Sequence, residues 1–484
     1  MILEKHKKYI NKYKPNILYW GLGIENELYL EFDKKKLINK NQFLNCHKRE
    51  RYSVDYYTNY KVDIIKKAFN YINDNMSIKY DSYNNLPLLM NSFSFTKTDM
   101  KNNSKTKYTK LCEPNPLFNG KLLTDTIFLH NNNLYNMYDN NFVYDGDVIE
   151  FITTEFFNTT LNSIIFELLC IKKDYIQNLR KVFSDNNIFT EYGTINYMTQ
   201  NHPFGIYLTN INNVSMFNNG TLHFNITLPT NLDKNGLIAC RDTFTYQHMN
   251  YIRFIQFMEP LIISIYGAPD PFSYIKNINN ESLISDEMFR FSLLFSSSSQ
   301  RCAISRYIGI GTYDTDKMDT GKLVTIKSEE TVVCKEPYGW YNEYHMNSAY
   351  NKLKEVGYDI NFNKHLNHGV EIRFLDHITC SDKMKEVFKF LIYLGDFSLY
   401  SNTIENPIYN KIWNKLVVET MKYGVNTNID NITLNMFNTI FNHIFKKTNI
   451  KDLYYEIFDF LKDKSSTNNI FSSKALKNIL YWEL

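Results

Sequence analysis

Four stretches of the chain alternate apolar and polar residues with the period of a half-buried strand: Gly23 to Phe32, Val148 to Thr153, Thr221 to Leu228 and Gly369 to Leu375. The third is expected to stop at Pro229. Between them the period changes to that of an amphipathic helix, over Leu161 to Phe183 and again over Thr243 to Tyr266. From Asp382 onward the chain reads as several helices, about 382–484. The stretch from Lys34 to Asn141 is polar and asparagine-rich, with one helical pattern around Val62 to Ile72, and is read as an insertion or subdomain at about 34–141. No internal repeat and no Pro/Gly/Ser linker divides the chain. The pattern predicts an α+β protein, a single domain over 1–484 with one sheet and helices packed on one side of it.

Composition narrows this reading. With 484 residues, 44% hydrophobic and 16% aromatic, the chain can bury a large core and is not a disordered sequence. A net charge of +3, spread along the chain, gives no electrostatic footprint for nucleic acid. The abundance of Asn, Lys, Ile and Tyr fits an AT-rich coding genome, such as that of a large DNA virus or a parasite. The longest apolar run, Phe254 to Ala268, is interrupted by Glu259 and Pro260. A membrane span needs about 20 apolar residues, so a buried helix is expected there and no membrane partner. The seven cysteines form no C-x-x-C pair and no metal-ligand spacing. They fit a reducing compartment, the cytoplasm, or the host's cytoplasm for a viral chain.

Each of the four strands carries polar groups inside an apolar run: Glu25 and Glu27 in the first, Glu150 in the second, His223 and Asn225 in the third, Glu371 and Arg373 in the fourth. Residues i and i+2 of a strand share a face. Charges facing a core must be paired, neutralised or bound to a metal. Alone, each pair is weak evidence: an E-x-E more often faces solvent, a lone His more often fills a hydrogen-bonded core site, and an E-x-R is commonly a surface pair. Four such strands in one sheet would bring four carboxylates and an imidazole to one cavity, a donor set suited to Mg²⁺ or Mn²⁺.

These same residues resemble a known family. Glu150-Phe-Ile-Thr is similar to the E-F-I-T-P motif of the bacterial glutamate–cysteine ligases, and His223-Phe-Asn-Ile-Thr-Leu-Pro229 to their H-Y-N-F-S-L-P. Tyr266-Gly-Ala-Pro-Asp-Pro271 resembles their G-A-S-P turn, Ser299-Gln-Arg301 with Tyr307 their S-L-R…Y segment, and Glu371-Ile-Arg373-Phe-Leu-Asp376 their E-V-R-S-L-D. Gly23-Ile-Glu25-Asn-Glu27 resembles the opening G-x-E-x-E. The resemblance implies a glutamine-synthetase-like fold, an antiparallel sheet whose concave face is the active site and whose back is covered by helices. It implies an ATP-dependent ligase joining the γ-carboxylate of glutamate to the amine of cysteine through a γ-glutamyl phosphate. Glu25, Glu27, Glu150, His223 and Glu371 would hold Mg²⁺ or Mn²⁺ around ATP. Arg373, with Glu371, would act in phosphoryl transfer. Arg301 and Tyr307 would bind substrate carboxylates, and Asn225 would line the acceptor pocket.

The sequence departs from that family in three places. The stretch between the first two motifs is much longer. No Lys or Arg occurs between Lys181 and Lys234, where the bacterial enzymes place a phosphate-facing arginine. Arg306 and Tyr313 offer a second alignment for Arg301 and Tyr307. Two further readings therefore stand beside the first: an amidoligase of the same fold acting on another amine, a peptide or a protein, and a non-catalytic relative kept as an interaction module.

Overall fold

The computed structural model describes residues 11–14, 17–28, 30–33, 85–88, 108–110, 113–114, 123–145, 148–157, 159–187, 193–197, 221–267, 324–325, 333–334, 360–362, 368–407 and 410–467. Its centre is a six-stranded sheet in which every neighbouring pair is antiparallel. In chain order the strands are β1 (Leu18–Leu28), β2 (Phe142–Asp145), β3 (Val148–Ile152), β4 (Thr221–Asn231), β5 (Ile360–Phe362) and β6 (Val370–Asp376). In space the order is β5-β6-β4-β1-β3-β2, so the two long strands β1 and β4 lie at the middle. The architecture is mixed α and β, as the alternation predicts, with an open antiparallel sheet.

One face of this sheet is apolar. Leu22, Ile24, Leu28, Ile149, Phe151, Leu222, Phe224, Ile226, Val370 and Ile372 are all buried on it. Three helices cover it: α1 (Leu161–Asp185), α2 (Arg241–Tyr266) and α3 (Ser381–Ser398). Phe151 meets Tyr175 of α1 edge-on, and Phe224 lies against Phe388 of α3. The helix α1 starts where Thr160 Oγ1 accepts the Ser163 N–H, and its buried residues recur every three or four positions. Further out, α4 (Lys411–Tyr423), α5 (Asn431–Phe441) and α6 (Ile450–Thr467) extend the helical layer. The expected helical C-terminal part is thus built onto the same core. The apolar run of Phe254 to Ala268 falls largely within α2, which is buried along its second half. Among the described residues no helix is long and apolar enough to cross a membrane.

Two strands depart from the bounds the sequence pattern predicts. The first strand was expected over Gly23 to Phe32, but the structure divides that segment. Leu18–Leu28 belongs to the central sheet, and Leu30–Asp33 pairs with Asn85–Leu88 and Thr194–Tyr197 in a separate three-stranded sheet, so the single sheet expected from the pattern is not the only one. The strand expected to end at Pro229 continues through it to Asn231. The register explains why: Tyr19 faces Thr230 while Gly21 faces Thr227, so β4 holds one extra residue there. In such a bulge a proline's missing N–H costs the ladder nothing. The Leu228 N–H freed by the same bulge donates to His248 Nε2 at 2.9 Å. The helix expected at Val62 to Ile72 lies outside the described residues. Among its described residues the expected insertion holds short strands at Asn85–Leu88, Tyr108–Lys110 and Glu113–Pro114 and two short helices, Leu123–His130 and Asn132–Met137.

Candidate metal centre

The second face of the sheet carries the polar residues. The register is specific: Glu25 lies opposite His223 on one side and Ile152 on the other, Glu27 opposite Thr221 and Glu150, and Asn225 opposite Gly23 and Glu371. Period-two alternation then places Glu25, Glu27, Glu150, His223, Asn225 and Glu371 on one surface. The apolar alternates of the same strands form the helix-covered face, so a one-residue slip of any strand would exchange the two.

Glu25, Glu27, His223, Asn225 and Glu371 are buried, each at 3% exposure or less, whereas Glu150 is partly exposed. His223 is the hub. Its Nδ1 lies 3.3 Å from Glu25 Oε2 and 3.5 Å from Glu371 Oε1, and its Nε2 lies 3.7 Å from Glu27 Oε1. Arg373 Nη1 donates to Glu371 Oε1 at 3.0 Å. A second bulge, between Ile372 and Leu375, interrupts the ladder at Arg373. Such bulges re-aim a side chain, and this one accompanies the guanidinium's contact with the carboxylate cluster. Burial, followed by the nearby Arg373 cation, pushes the His223 pKa down, outweighing the neighbouring carboxylates. The imidazole is therefore held neutral, the form that can ligate a metal.

Glu25, His223 and Glu371 each offer a ligand atom within 4.8 Å of the others. That spread is what a single cation can bridge from its opposite sides. Asn225 Nδ2 donates to Glu25 Oε1 at 3.1 Å, and its buried Oδ1 has no hydrogen-bond partner. It is thus a further oxygen donor in the same patch. Two carboxylates, one imidazole and an amide oxygen suit a hard divalent cation.

The structure adds residues that the sequence reading missed. Thr221 Oγ1 lies 2.9 Å from His223 Nε2 and orients the ring. Its position two residues before His223 was the available signal. At the other end of the patch the Phe156 ring lies over Gly21 and Gly23, where a Cβ at Gly21 would come within 2.6 Å of Phe156 Cζ. His368 stacks on that ring at 4.0 Å. Nothing in the spacing of Phe156 or His368 announces this. Arg301 and Tyr307, and the alternative pair Arg306 and Tyr313, lie outside the described residues.

Over 406 residues the chain is 38% identical to an uncharacterized protein of Acanthamoeba polyphaga mimivirus. The match takes in 82% of this chain and 65% of that protein, so this chain spans less than two thirds of its relative's length. No family model matches the chain, and no solved structure matches it.

Proposed function

We propose that the chain is an ATP-dependent carboxylate–amine ligase of the glutamine-synthetase-like fold that joins the γ-carboxylate of glutamate to the amine of cysteine. The observation that carries this reading is the convergence of Glu25, His223 and Glu371, from three neighbouring strands, with Arg373 alongside. Glu25, Glu27, His223 and Glu371 would hold Mg²⁺ or Mn²⁺, with Glu150 at the more open side and Asn225 Oδ1 as a neutral donor. The bound cation would neutralise phosphate charge, which is most of what phosphoryl transfer asks of a protein.

The remaining work belongs to the side chains. A glutamate γ-carboxylate oxygen attacks the γ-phosphorus of ATP, the bond to the bridging oxygen breaks, and ADP leaves. The Arg373 guanidinium, steadied by Glu371, would meet the negative charge spreading over the transferred phosphoryl oxygens. The cysteine amine then attacks the acyl carbon, loses a proton and expels phosphate. The burial of the carboxylates limits the water that would otherwise hydrolyse the acyl phosphate. Arg301 and Tyr307 remain the proposed partners of the substrate carboxylates.

A second reading keeps the fold and changes the amine. The long 34–141 stretch and the absence of Lys or Arg between Lys181 and Lys234 favour it. One experiment separates the readings: ADP release by the purified protein with Mg²⁺, ATP and glutamate, across a panel of amines. Release with cysteine, abolished by chelator, supports the first. Release with another amine only gives the second. No release with any amine gives the non-catalytic interaction module.

A further inference from the structure

Asn26 sits between Glu25 and Glu27 on β1 and is fully buried, with its side chain on the helix-covered face. Both of its amide protons and one lone pair of its oxygen are engaged there. Its Nδ2 donates to the Thr221 carbonyl at 2.8 Å and to His377 Nδ1 at 2.9 Å, and its Oδ1 accepts from Lys172 Nζ at 3.0 Å. The chemistry fixes which way the amide faces, because an ammonium can only donate and a carbonyl can only accept. It also fixes the His377 tautomer. Nδ1 accepts, so the ring is neutral with its proton on Nε2. Burial, followed by the nearby Lys172 cation, holds the His377 pKa well below that of a free imidazole and so keeps the ring neutral.

Thr221, whose carbonyl Asn26 holds, is the residue whose hydroxyl meets His223 Nε2 on the opposite face. A continuous path therefore runs from α1 through the sheet to the candidate metal centre: Lys172 to Asn26, Asn26 to Thr221, Thr221 to His223. The His377 contact adds the end of β6, the strand that carries Glu371.

We propose that Asn26, braced by Lys172 and His377, is a positioning residue that sets His223 and the β1 carboxylates in register from behind the sheet. A group bonded to a ligating imidazole, as Thr221 is to His223, fixes its orientation, and losing one typically weakens metal binding about ten- to a hundredfold. Asn26 touches no substrate in this scheme and acts only through Thr221 and the strand. The metal-binding arm of the test rests on the reading given above.

The test compares wild type, Asn26→Leu, Lys172→Met and Lys172→Arg in the full chain. Mn²⁺ alone is titrated into metal-free protein and followed by electron paramagnetic resonance. In parallel, ¹⁵N-histidine-labelled samples report the His223 ring nitrogens without metal. Asn26→Leu is expected to weaken Mn²⁺ binding by about tenfold or more and to displace the His223 ring signals, with far-UV circular dichroism unchanged. Lys172→Met is expected to do the same to a smaller degree, and Lys172→Arg to restore the wild-type values. Ile24→Val, on the same strand and the same face, serves as the control that leaves both unmoved. Unchanged His223 ring signals in folded Asn26→Leu overturn the proposal whether or not metal binds. Wild type that takes up no Mn²⁺ while Asn26→Leu still displaces those signals overturns the metal reading and leaves the positioning role standing. Should Asn26→Leu fail to fold, Lys172→Met carries the same two readouts, and its equivalence to wild type overturns the proposal.

Discussion

Glu371→Gln separates the cost of the polar cluster from its purpose. The substitution keeps the shape and removes one charge from a residue 1% exposed. Glu371 Oε1 is 3.0 Å from Arg373 Nη1, an attraction of about 5.5 kcal/mol at an effective dielectric constant near 20. Its ligand oxygen lies within 4.8 Å of that of Glu25, a repulsion of at least about 3.5 kcal/mol on the same scale. Removing the charge loses the first and relieves the second, and the two together leave a net loss of about 2 kcal/mol. The glutamine oxygen still accepts from Arg373, and one fewer charge has to be desolvated. The metal-free mutant should therefore unfold in urea within about 2 kcal/mol of wild type, followed through the buried Trp20 and Trp413. With free Mn²⁺ at a hundred times its dissociation constant, wild type should gain about 2.7 kcal/mol. The mutant should gain almost nothing. Equal Mn²⁺ stabilisation of both proteins would refute Glu371 as a ligand, and no stabilisation of wild type would refute the metal centre.

Three further outcomes are expected. Arg373→Lys keeps the charge but loses the planar fork, so kcat for ADP release should fall by about tenfold or more with little change in KM for ATP; a change confined to KM would show that Arg373 only binds ATP. Gly21→Ala drives a methyl into the Phe156 ring, and should cost about 1–3 kcal/mol of stability, recovered in the double variant with Phe156→Leu; an unperturbed single variant would mean that the ring moves freely. His248, buried with both ring nitrogens bonded, has its pKa lowered to about 4. Below pH 6.5 the unfolded chain takes up a proton that the folded one refuses, so stability falls towards pH 4, by about 3 kcal/mol over that range. The stability gap between wild type and His248→Gln should narrow as pH drops, and a gap independent of pH would count against this.

The site was legible in the sequence to the extent that strand periodicity is local. Glu25, Glu27, His223, Asn225 and Glu371 could be placed on polar faces because, Asn26 apart, they alternate with apolar neighbours, and each strand proved to bury its apolar side. What the pattern could not give was the far side of those faces. Asn26 reads as one polar residue between two glutamates, and only the packing of Lys172 and His377 against it shows what it holds. The two bulges were likewise invisible, because an extra residue in a strand shows only against its partner. Pro229 was read as a terminator by the local rule, and the bulge beside it removed the reason for one. The short strands Phe142–Asp145 and Ile360–Phe362 were missed as well. At three or four residues each they are too brief for a period to be counted.

The distance along the chain between the strands bears on how the protein comes into being. Glu25 and His223 are 198 residues apart in sequence, and β6, which supplies Glu371, follows far behind both. During synthesis β1 and β4 can pair long before β6 has left the ribosome, so β4 then presents a bare edge rich in Phe, Ile and Leu. Such an edge is a template for unwanted association. A product stopped short of Val370 would carry that edge permanently and would lack the last carboxylate. Incomplete chains are thus expected to be inert towards divalent ions and prone to aggregate, and the strand that supplies Glu371 is also the one that covers the β4 edge.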